Sequence, residues 1–292
     1  MKGPAAMALL LLTVACGTAL RVTPDRAVGP TPAPSPTMPS TREPFRFSVI
    51  GDSGTGGRAQ AGVARAMCRW RTRHPFGLVI TTGDNVYPDG DPARFDRRFR
   101  KPYGCLLENG VRFHASLGNH DVMTRDGRPE INRDVFGIRA RNYVVRRRGV
   151  RFVIADSNGL NRRWLRRALK PDAGDRWTIV VFHHPVFSAG TGHGSTPGFR
   201  PALPRMFQRN GVDLALAGHD HVYFASKRIR GVRYVVTGGG GASLYGCAPR
   251  WFTVRCEARH HFVSVTVHSD HIAVKAVSPW GRSFHAFTTT GQ

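Results

Sequence analysis

Acidic residues, lysines and long apolar runs are all scarce in this chain of 292 residues. Only 19 Asp and Glu stand against 43 Lys and Arg, so the formal net charge is +24. The longest apolar run, residues 5–15, is about half of the roughly 20 residues that a membrane-spanning helix needs, which excludes a polytopic membrane protein. A hydrophobic content of 41% is too high for a chain that is disordered throughout. The composition therefore indicates a basic globular protein.

Arg carries most of the positive charge and is spread along the chain. Residues 1–44 contribute only +2, because Lys2 and three Arg are offset by Asp25 and Glu43, so +22 belongs to residues 45–292. This excess attracts anions in general, and one interpretation is an Arg-rich polyanion-binding surface protein. The other is that the excess is a by-product of an Arg-rich coding sequence. Since no basic arm is present, we expect no specific nucleic-acid binding.

The first residues have the pattern of an export signal. Lys2 precedes an apolar stretch over residues 5–12, and residues 13–16, Thr-Val-Ala-Cys, form a processing site of small residues. Cys16 resembles the lipidated cysteine of a bacterial lipoprotein, and the alternative is a plain secretory peptide. Residues 17–44 are rich in Pro, Ser and Thr and predict a tether. We expect an exported protein, lipid-anchored to the bacterial cell membrane or secreted, whose folded domain spans residues 45–292.

Cysteines are few, and their spacing excludes a zinc ribbon. Apart from Cys16 there are four, Cys68, Cys105, Cys247 and Cys256, and no two form a CxxC pair. An even number in an exported chain predicts two disulfides. Four cysteines allow three pairings, and proximity along the chain favours Cys68 with Cys105 and Cys247 with Cys256.

Five predicted strands end in polar residues that can bind metal ions. Each is a short β-branched or aromatic run followed by GDSG, GDNVY, GNHD, HHP or GHDH. The runs cover residues 47–50, 78–82, 111–117, 178–182 and 212–217. Residues 60–73 and 161–169 have helical patterns between them. Alternating strands and helices predict an α/β fold, in which ligand sites gather at the carboxyl ends of strands.

The loops after these strands supply oxygen and imidazole donors and no thiolate. The candidates are Asp52, Asp84, Tyr87, Asn119, His183, His219 and His221. Such a set suits iron, manganese or zinc. Seven donors are too many for one ion with an open position, so two ions that share a carboxylate fit the number better.

In this order, the motifs GDxG, GDxxY, GNH(D/E), VxxH and GHxH resemble those of the calcineurin-like metallophosphoesterases, over residues 46–240. Tyr87 in GDxxY is similar to the tyrosine of purple acid phosphatases. The resemblance implies a four-layer α/β/β/α sandwich of two mixed β-sheets flanked by helices. It also implies that Asp52, Tyr87 and His221 hold Fe(III), that Asn119, His183 and His219 hold Fe(II), Zn(II) or Mn(II), and that Asp84 bridges the two ions.

The resemblance further implies hydrolysis of small phosphate monoesters by in-line attack of a metal-bound hydroxide. His120 in GNHD corresponds to the general acid that protonates the leaving group, and His193 in TGHG resembles a second histidine on the substrate side. A phosphodiesterase or nucleotide hydrolase that uses the same site is the alternative within this class. Nothing in the sequence indicates the oligomeric state.

We expect several other residues near the motifs to have supporting roles. We expect Asp121 to orient His120 or its turn, and Asp220 to lie behind the ligands or in solvent. Gly238–Gly241 predict a close approach of the backbone to the metal site, because no helical pattern follows that would complete a phosphate-binding loop. Alternating residues at 262–267 and 272–276 predict late strands of the second sheet.

Overall fold

The β-branched and aromatic runs form the strands of two sheets. The computed structural model describes residues 43–131 and 133–291. The predicted export signal with Cys16, and the predicted tether up to residue 42, lie outside the described residues. The strands in the described part are β1 (Phe45–Ile50), β2 (Leu78–Thr81), β3 (Arg112–Ala115), β4 (Tyr143–Arg147), β5 (Val150–Ile154), β6 (Trp177–Val181), β7 (Leu214–Ala217), β8 (Tyr223–Ser226), β9 (Arg233–Thr237), β10 (Thr253–Glu257), β11 (Phe262–Val267), β12 (His271–Val277) and β13 (Ser283–Thr290).

Both sheets are mixed. The first has the strand order β13-β12-β11-β1-β2-β3, in which β1, β2 and β3 are parallel. The second has the order β10-β8-β9-β7-β6-β5-β4, in which β5, β6, β7 and β9 are parallel. Parallel neighbours end at the same edge of a sheet. The loops after β1, β2 and β3 therefore share one edge of the first sheet, and those after β6 and β7 share one edge of the second.

Helices cover the outer faces of the two sheets. The α-helices in the described part are α1 (Arg58–Arg73), α2 (Gly104–Leu107), α3 (Arg128–Ile131), α4 (Arg162–Ala168) and α5 (Leu203–Arg209). The end of α1 follows from Pro75, which disfavours helical geometry at His74. Asn161 caps α4 by accepting a hydrogen bond from the Trp164 backbone N–H at 2.9 Å.

Alternation along the strands separates the inner core from the outer one. Phe47 of β1 meets Phe152 of β5 edge to face, with ring centroids 5.0 Å apart, so these side chains fill the space between the sheets. The next residue of β5, Val153, faces the other way and joins the cluster that contains Phe207 of α5. On the far side of the first sheet, Trp70 of α1 donates a hydrogen bond to Ser264 of β11. The predicted four-layer α/β/β/α sandwich is confirmed.

The C-terminal strands correct one expectation. Residues 262–267 and 272–276 are strands, as predicted, but they belong to the first sheet and not to the second. β11 lies antiparallel to β1, with Phe45 opposite Val267 and Val49 opposite Val263. Because β2 occupies only one side of β1, the other side is free to pair with β11, and β12 and β13 extend the sheet from there. The chain thus returns to the sheet in which it began.

Both disulfides pair the cysteines that are close in sequence. Cys68 of α1 is bonded to Cys105 of α2, and Cys247 is bonded to Cys256 of β10. The second bond closes the loop that precedes β10. No helix within residues 43–131 and 133–291 is long and apolar enough to cross a bilayer.

Candidate metal centre

Five loops bring the predicted ligands to one end of the sandwich. Asp52 follows β1, Asp84 follows β2 and Asn119 follows β3, all in the first sheet. His183 follows β6 and His219 follows β7, both in the second sheet. His219 donates backbone hydrogen bonds of 3.0 Å to both carboxylate oxygens of Asp52, which joins the two sheets at this point.

Left-handed backbone turns set the direction of three of these side chains. Asp52, Asp84 and His219 have φ values of 55°, 54° and 68°, and each comes directly after a glycine at a strand end. Such a conformation costs a residue with a side chain roughly 1–3 kcal/mol and is concentrated at functional sites. Three of the predicted ligands thus lie in backbone conformations of the kind found at functional sites.

Two glycines let the backbone pass directly beside the carboxylates. A Cβ atom on Gly118 would lie 2.8 Å from Asp84 Cγ and closer still to Oδ1. A Cβ atom on Gly218 would overlap Asp52 Oδ2 and lie 2.8 Å from Thr82 Oγ1. Real side chains do not approach this closely. Gly238 also lies against Asp52, as the prediction of a close backbone approach requires.

The first group of ligands lies around Asp52. One ligand atom from each of Asp52, Asp84 and His221 lies within 4.8 Å of the other two. The Tyr87 hydroxyl is 3.1 Å from His221 Nε2 and 3.5 Å from Asp52 Oδ1. Three anionic or phenolic oxygens and one imidazole therefore converge on one point.

The second group lies around His183. Its Nε2 is 2.9 Å from Asn119 Oδ1, 3.2 Å from His219 Nδ1 and 3.5 Å from Asp84 Oδ1. Asp84 belongs to both groups, because its carboxylate also lies beside Asp52 and His221. The structure thus brings all seven predicted ligands together, with Asp84 between two sets of three.

The hydrogen bonds of the imidazoles show that these groups suit cations. His183 Nδ1 is 2.8 Å from the Thr82 carbonyl and His221 Nδ1 is 2.7 Å from the Ser243 carbonyl, so both Nδ1 atoms carry the proton. The Nε2 atom of each neutral ring therefore has a lone pair, which faces the oxygen atoms of the other predicted ligands. Among the described residues, no Lys or Arg lies within 4.0 Å of the Asp52 or Asp84 carboxylate. Carboxylate oxygens, an amide oxygen and imidazole nitrogens that converge with no Lys or Arg among them fit a bound metal ion.

Burial shifts the ionisation of these groups. Burial raises the pKa of Asp52 above its ordinary value. Burial, followed by the Asp52 and Asp84 carboxylates, raises the pKa of Tyr87 far above its usual range. Burial and the neighbouring His183 lower the pKa of His219 to about 2. A metal cation in the centre would favour the ionised forms of the Asp52 carboxylate and of the Tyr87 phenol. The donor set therefore fits the two metal ions that the sequence predicts.

His120 lies at the open side of the centre. Its Nε2 is 3.9 Å from Asp84 Oδ2, and its side chain is 33% exposed. Nδ1 lies 2.5 Å from the Pro88 carbonyl, and the ring centroid is 4.5 Å from that of Tyr87. The Pro88 carbonyl accepts the Nδ1 proton, which leaves Nε2 as the nitrogen that faces the centre and solvent.

His193 reaches the centre from a different loop. Its ring stacks on His219 with centroids 4.0 Å apart, so the structure places this predicted residue beside the ligands. Tyr245, which the sequence analysis missed, lies between the two groups: its ring stacks on His221 at 4.4 Å and its hydroxyl is 3.4 Å from His193 Nε2. A Cβ on Gly192 would overlap the Tyr245 ring, which holds the ring in place.

Asp121 supports the turn beneath the ligands. It accepts backbone hydrogen bonds from Gly118 at 2.7 Å, Asn85 at 2.8 Å and Val86 at 3.1 Å. The Asn85 side-chain amide bridges Asp121 to Glu130, which is fully buried. Burial and then Asp84 raise the pKa of Asp121 to about 6, and burial and then Asp121 raise the pKa of Glu130 well above its ordinary value. Asp121 thus orients the turn, one of its two predicted roles.

Asp220 and Ser157 hold the loops that carry histidines. Asp220 accepts hydrogen bonds from the Ser188 hydroxyl and from the backbone of His193 at 3.2 Å, and it is fully buried behind the ligands. Ser157 Oγ accepts from the backbone N–H of His183 at 3.2 Å and from that of His184 at 3.0 Å. No sequence motif marked Ser157, because it comes from the loop after β5 and meets His183 only in the folded chain.

Comparison with known proteins identifies similar sequences. Residues 45–223 match the family described as Calcineurin-like phosphoesterase. The chain is 25% identical over 283 residues to Purple acid phosphatase 4 of Arabidopsis thaliana, which covers 84% of this chain and 83% of the relative. It is 27% identical over 237 residues to Purple acid phosphatase 17 of the same plant, with 68% of this chain and 69% of the relative covered.

Solved structures with the same fold include two that cover most of this chain. The purple acid phosphatase PPD1 from yellow lupin (Lupinus luteus) seeds aligns with a TM-score of 0.72 and 18% identity, over 85% of this chain and 54% of its own. GAP50, described as the anchor in the inner membrane complex of Plasmodium, aligns with a TM-score of 0.74 and 16% identity, over 86% and 90%. At these identities the likeness shows the fold alone.

Proposed function

This chain belongs to the calcineurin-like phosphoesterase family and is a purple acid phosphatase-like metallophosphoesterase, and on that premise we propose that it hydrolyses small phosphate monoesters. The observation that carries the proposal is the meeting of Tyr87, His221 and Asp52 beside Asp84. The tyrosine is the residue by which the sequence resembles purple acid phosphatases, and its hydroxyl is 3.1 Å from His221 Nε2.

Each of the two groups of ligands would hold one metal ion. Asp52, Tyr87 and His221 would hold one ion, which we propose is Fe(III), because a phenolate is a hard anionic donor. Asn119, His183 and His219 would hold the second, which we propose is Fe(II), Zn(II) or Mn(II), and Asp84 would be shared. Two ions bound in this way supply positive charge to the phosphoryl oxygens and lower the pKa of bound water.

His120 is placed to give a proton to the leaving group. Its Nδ1 is engaged by the Pro88 carbonyl, so a proton can pass to a substrate only from Nε2, which faces the centre and solvent. A general acid of this kind contributes about 10²- to 10⁴-fold to the rate. The His120→Ala variant should therefore lose far more activity on an alkyl phosphate than on an aryl phosphate, whose leaving group needs little protonation.

His193 and Tyr245 lie beside the ligand histidines His219 and His221. Stacking on His219 fixes the plane of the His193 ring, and the backbone bond to Asp220 fixes its loop. We propose that His193 donates a hydrogen bond to a phosphoryl oxygen and that Tyr245 orients the His193 ring. His193 is thus assigned to binding and orientation, and His120 to proton transfer.

The metal assignment is tested by a visible spectrum of the metal-loaded protein. A tyrosinate-to-iron band should be present in the natural chain and absent in the Tyr87→Phe variant. The Asn119→Ala variant should keep the band and lose hydrolysis, because Asn119 belongs to the second group of ligands. If the natural chain, loaded with iron, shows no such band, the purple-type assignment fails while the family assignment stands.

The substrate class is tested with mono- and diesters that share one leaving group. Preference for p-nitrophenyl phosphate over bis(p-nitrophenyl) phosphate supports a monoesterase, and the reverse preference would indicate the phosphodiesterase or nucleotide hydrolase of the sequence analysis. If neither ester is cleaved, and DNA is bound with an affinity that falls steeply with salt in both the natural chain and His219→Ala, the Arg-rich surface is the functional part.

We also propose that the chain is exported and that Cys16 is lipidated. They are supported by the pattern of residues 1–16, the Pro-rich residues that follow and the two disulfides, which form in oxidising compartments. Mass spectrometry of the mature N-terminus would decide the matter. An N-terminal Cys16 with attached acyl chains supports lipidation, and cleavage after another residue with no acyl mass indicates a secreted protein.

A further inference from the structure

A row of arginines lines the outer side of α1. Arg58, Arg65, Arg69 and Arg73 are all exposed, and their spacing of seven, four and four residues places them on one side of the helix. From Arg58 to Arg73 the row is about 22 Å long, at 1.5 Å per residue. α1 contains no acidic residue. This side of the helix is therefore positively charged along its whole length.

The turn between β12 and β13 lies beside this row and carries an exposed tryptophan. Trp280 is 77% exposed, which is more than any other large hydrophobic side chain in the described residues. Arg69 donates a hydrogen bond of 2.9 Å to the Pro279 carbonyl, which joins the turn to α1. Arg282 follows in the same turn and is exposed as well. We call Arg58, Arg65, Arg69, Arg73, Trp280 and Arg282 the basic face.

No carboxylate neutralises the basic face within the described residues. None of its five arginines forms an ion pair there, although arginines elsewhere, such as Arg94, do. The only acidic residue between positions 262 and 291 is Asp270. Asp270 precedes β12 whereas Trp280 follows it, and seven residues of strand separate them by about 23 Å.

Further cations crowd the far end of α1. Burial and then Lys275, Arg46 and Arg73 lower the pKa of His74, so these three cations act on one imidazole. Such a concentration of positive charge attracts an opposing negative surface.

We propose that the basic face docks on an anionic membrane surface, with Trp280 in the headgroup layer. Tryptophan is enriched at that depth because its ring is amphipathic, and arginines near an anionic leaflet are attracted to it. The shape favours a lipid surface over a nucleic acid: the row runs along one helix and the tryptophan projects from a turn. A cleft of about 390 Å³ beside His114 is lined by other side chains.

The test uses the full chain and two kinds of vesicle. Sedimentation with vesicles of phosphatidylcholine plus 30% phosphatidylserine should retain the protein, and phosphatidylcholine alone should retain much less. The double variant Arg65→Ser/Arg69→Ser should weaken binding about 25-fold, at about fivefold for each charge removed. Trp280→Ser should weaken binding at high salt as well, because its contribution is not electrostatic. Every protein tested, the reference chain included, carries Cys16→Ser and is otherwise unchanged over residues 1–44, so no acyl anchor masks the comparison and the contribution of these residues is common to all.

Two control variants remove the same groups elsewhere. Arg163→Ser/Arg167→Ser takes two exposed arginines, also four residues apart, from α4, and Trp251→Ser takes a tryptophan that is 65% exposed. Both should bind the anionic vesicles as the natural chain does. Equal weakening by the α4 variant would overturn the proposal in favour of a general charge effect. Equal binding to both vesicles would overturn it, as would binding to DNA alone that is lost in Arg65→Ser/Arg69→Ser.

Discussion

Replacing Gly118 by alanine should move the carboxylate on which both groups of ligands depend. The added Cβ would lie 2.8 Å from Asp84 Cγ and closer to Oδ1, where ordinary contacts begin at about 3.4 Å. Gly118 does not have a positive φ, so the effect comes from the contacts of the added Cβ, which would also lie 2.4 Å from the Asp84 backbone nitrogen. The Asp84 carboxylate must therefore move by about 1 Å, and a displacement of that size at a reacting centre can cost about 100-fold in rate.

The assay for Gly118→Ala is kcat for p-nitrophenyl phosphate, together with the metal content of the purified variant. We expect kcat to fall about 100-fold and the bound metal to decrease, with about 1–3 kcal/mol of stability lost to overpacking. Gly159→Ala is the matched control, because a Cβ there meets no heavy atom within 4 Å. A Gly118→Ala variant with full metal content and the kcat of Gly159→Ala would refute the placement of Asp84.

Three further predictions concern stability and orientation. Because the pKa of Glu130 is raised in the folded state, the unfolded chain loses the Glu130 proton near pH 4.5 while the folded chain keeps it, and the stability of the natural chain falls as pH rises from there toward the raised pKa. Glu130→Gln should therefore be more stable than the natural chain in urea at about pH 7.5 and no more stable at about pH 4.5. An equal difference at both pH values would show that the pKa of Glu130 is not raised beside Asp121. Tyr245→Phe should raise KM for phosphate esters several-fold and leave the proton-transfer limb of the pH profile unchanged, because only the bond to His193 is lost, and an unchanged KM would contradict the role of Tyr245. Phe152→Ala should lose about 3–5 kcal/mol of unfolding free energy, and a loss below about 1 kcal/mol would mean that this side chain is not in the core.

The metal-binding motifs could be predicted because each lies within a few residues of a strand end. A β-branched run followed by glycine and aspartate is local information, and β1 and β2 end within one residue of the predicted positions. The order of the motifs then made the family recognisable. The family match and the four-layer fold confirm that part of the interpretation.

The parts that could not be predicted depend on contacts between distant residues. β11 pairs with β1 across more than 200 residues of sequence, and no local pattern distinguishes that partner from a strand of the second sheet. Tyr245 meets His221 and His193 only because the loop before Cys247 folds against the loop that carries His193, with Cys247 bridged to Gly190. Glu130 looks like an ordinary surface acid in the sequence, yet it is fully buried beside Asn85.

Part of the positive charge of the chain lies on one surface of the described structure. The described structure gathers part of it on α1 and the β12–β13 turn, on residues that are not among the ligand groups. The two proposals thus assign different anionic targets to different parts of the chain: a phosphate ester to the centre and a lipid surface to the basic face. Variants of the basic face should leave hydrolysis of a small soluble ester unchanged.

Elemental analysis of the purified chain, combined with hydrolysis of a phosphate monoester, tests the central claim most directly. We predict two metal ions per chain, hydrolysis that disappears on chelation and returns with metal, and loss of both ions and of hydrolysis in the Asp84→Ala variant. One ion or none in an active chain, or hydrolysis that survives Asp84→Ala, would contradict a two-metal centre built around Asp84.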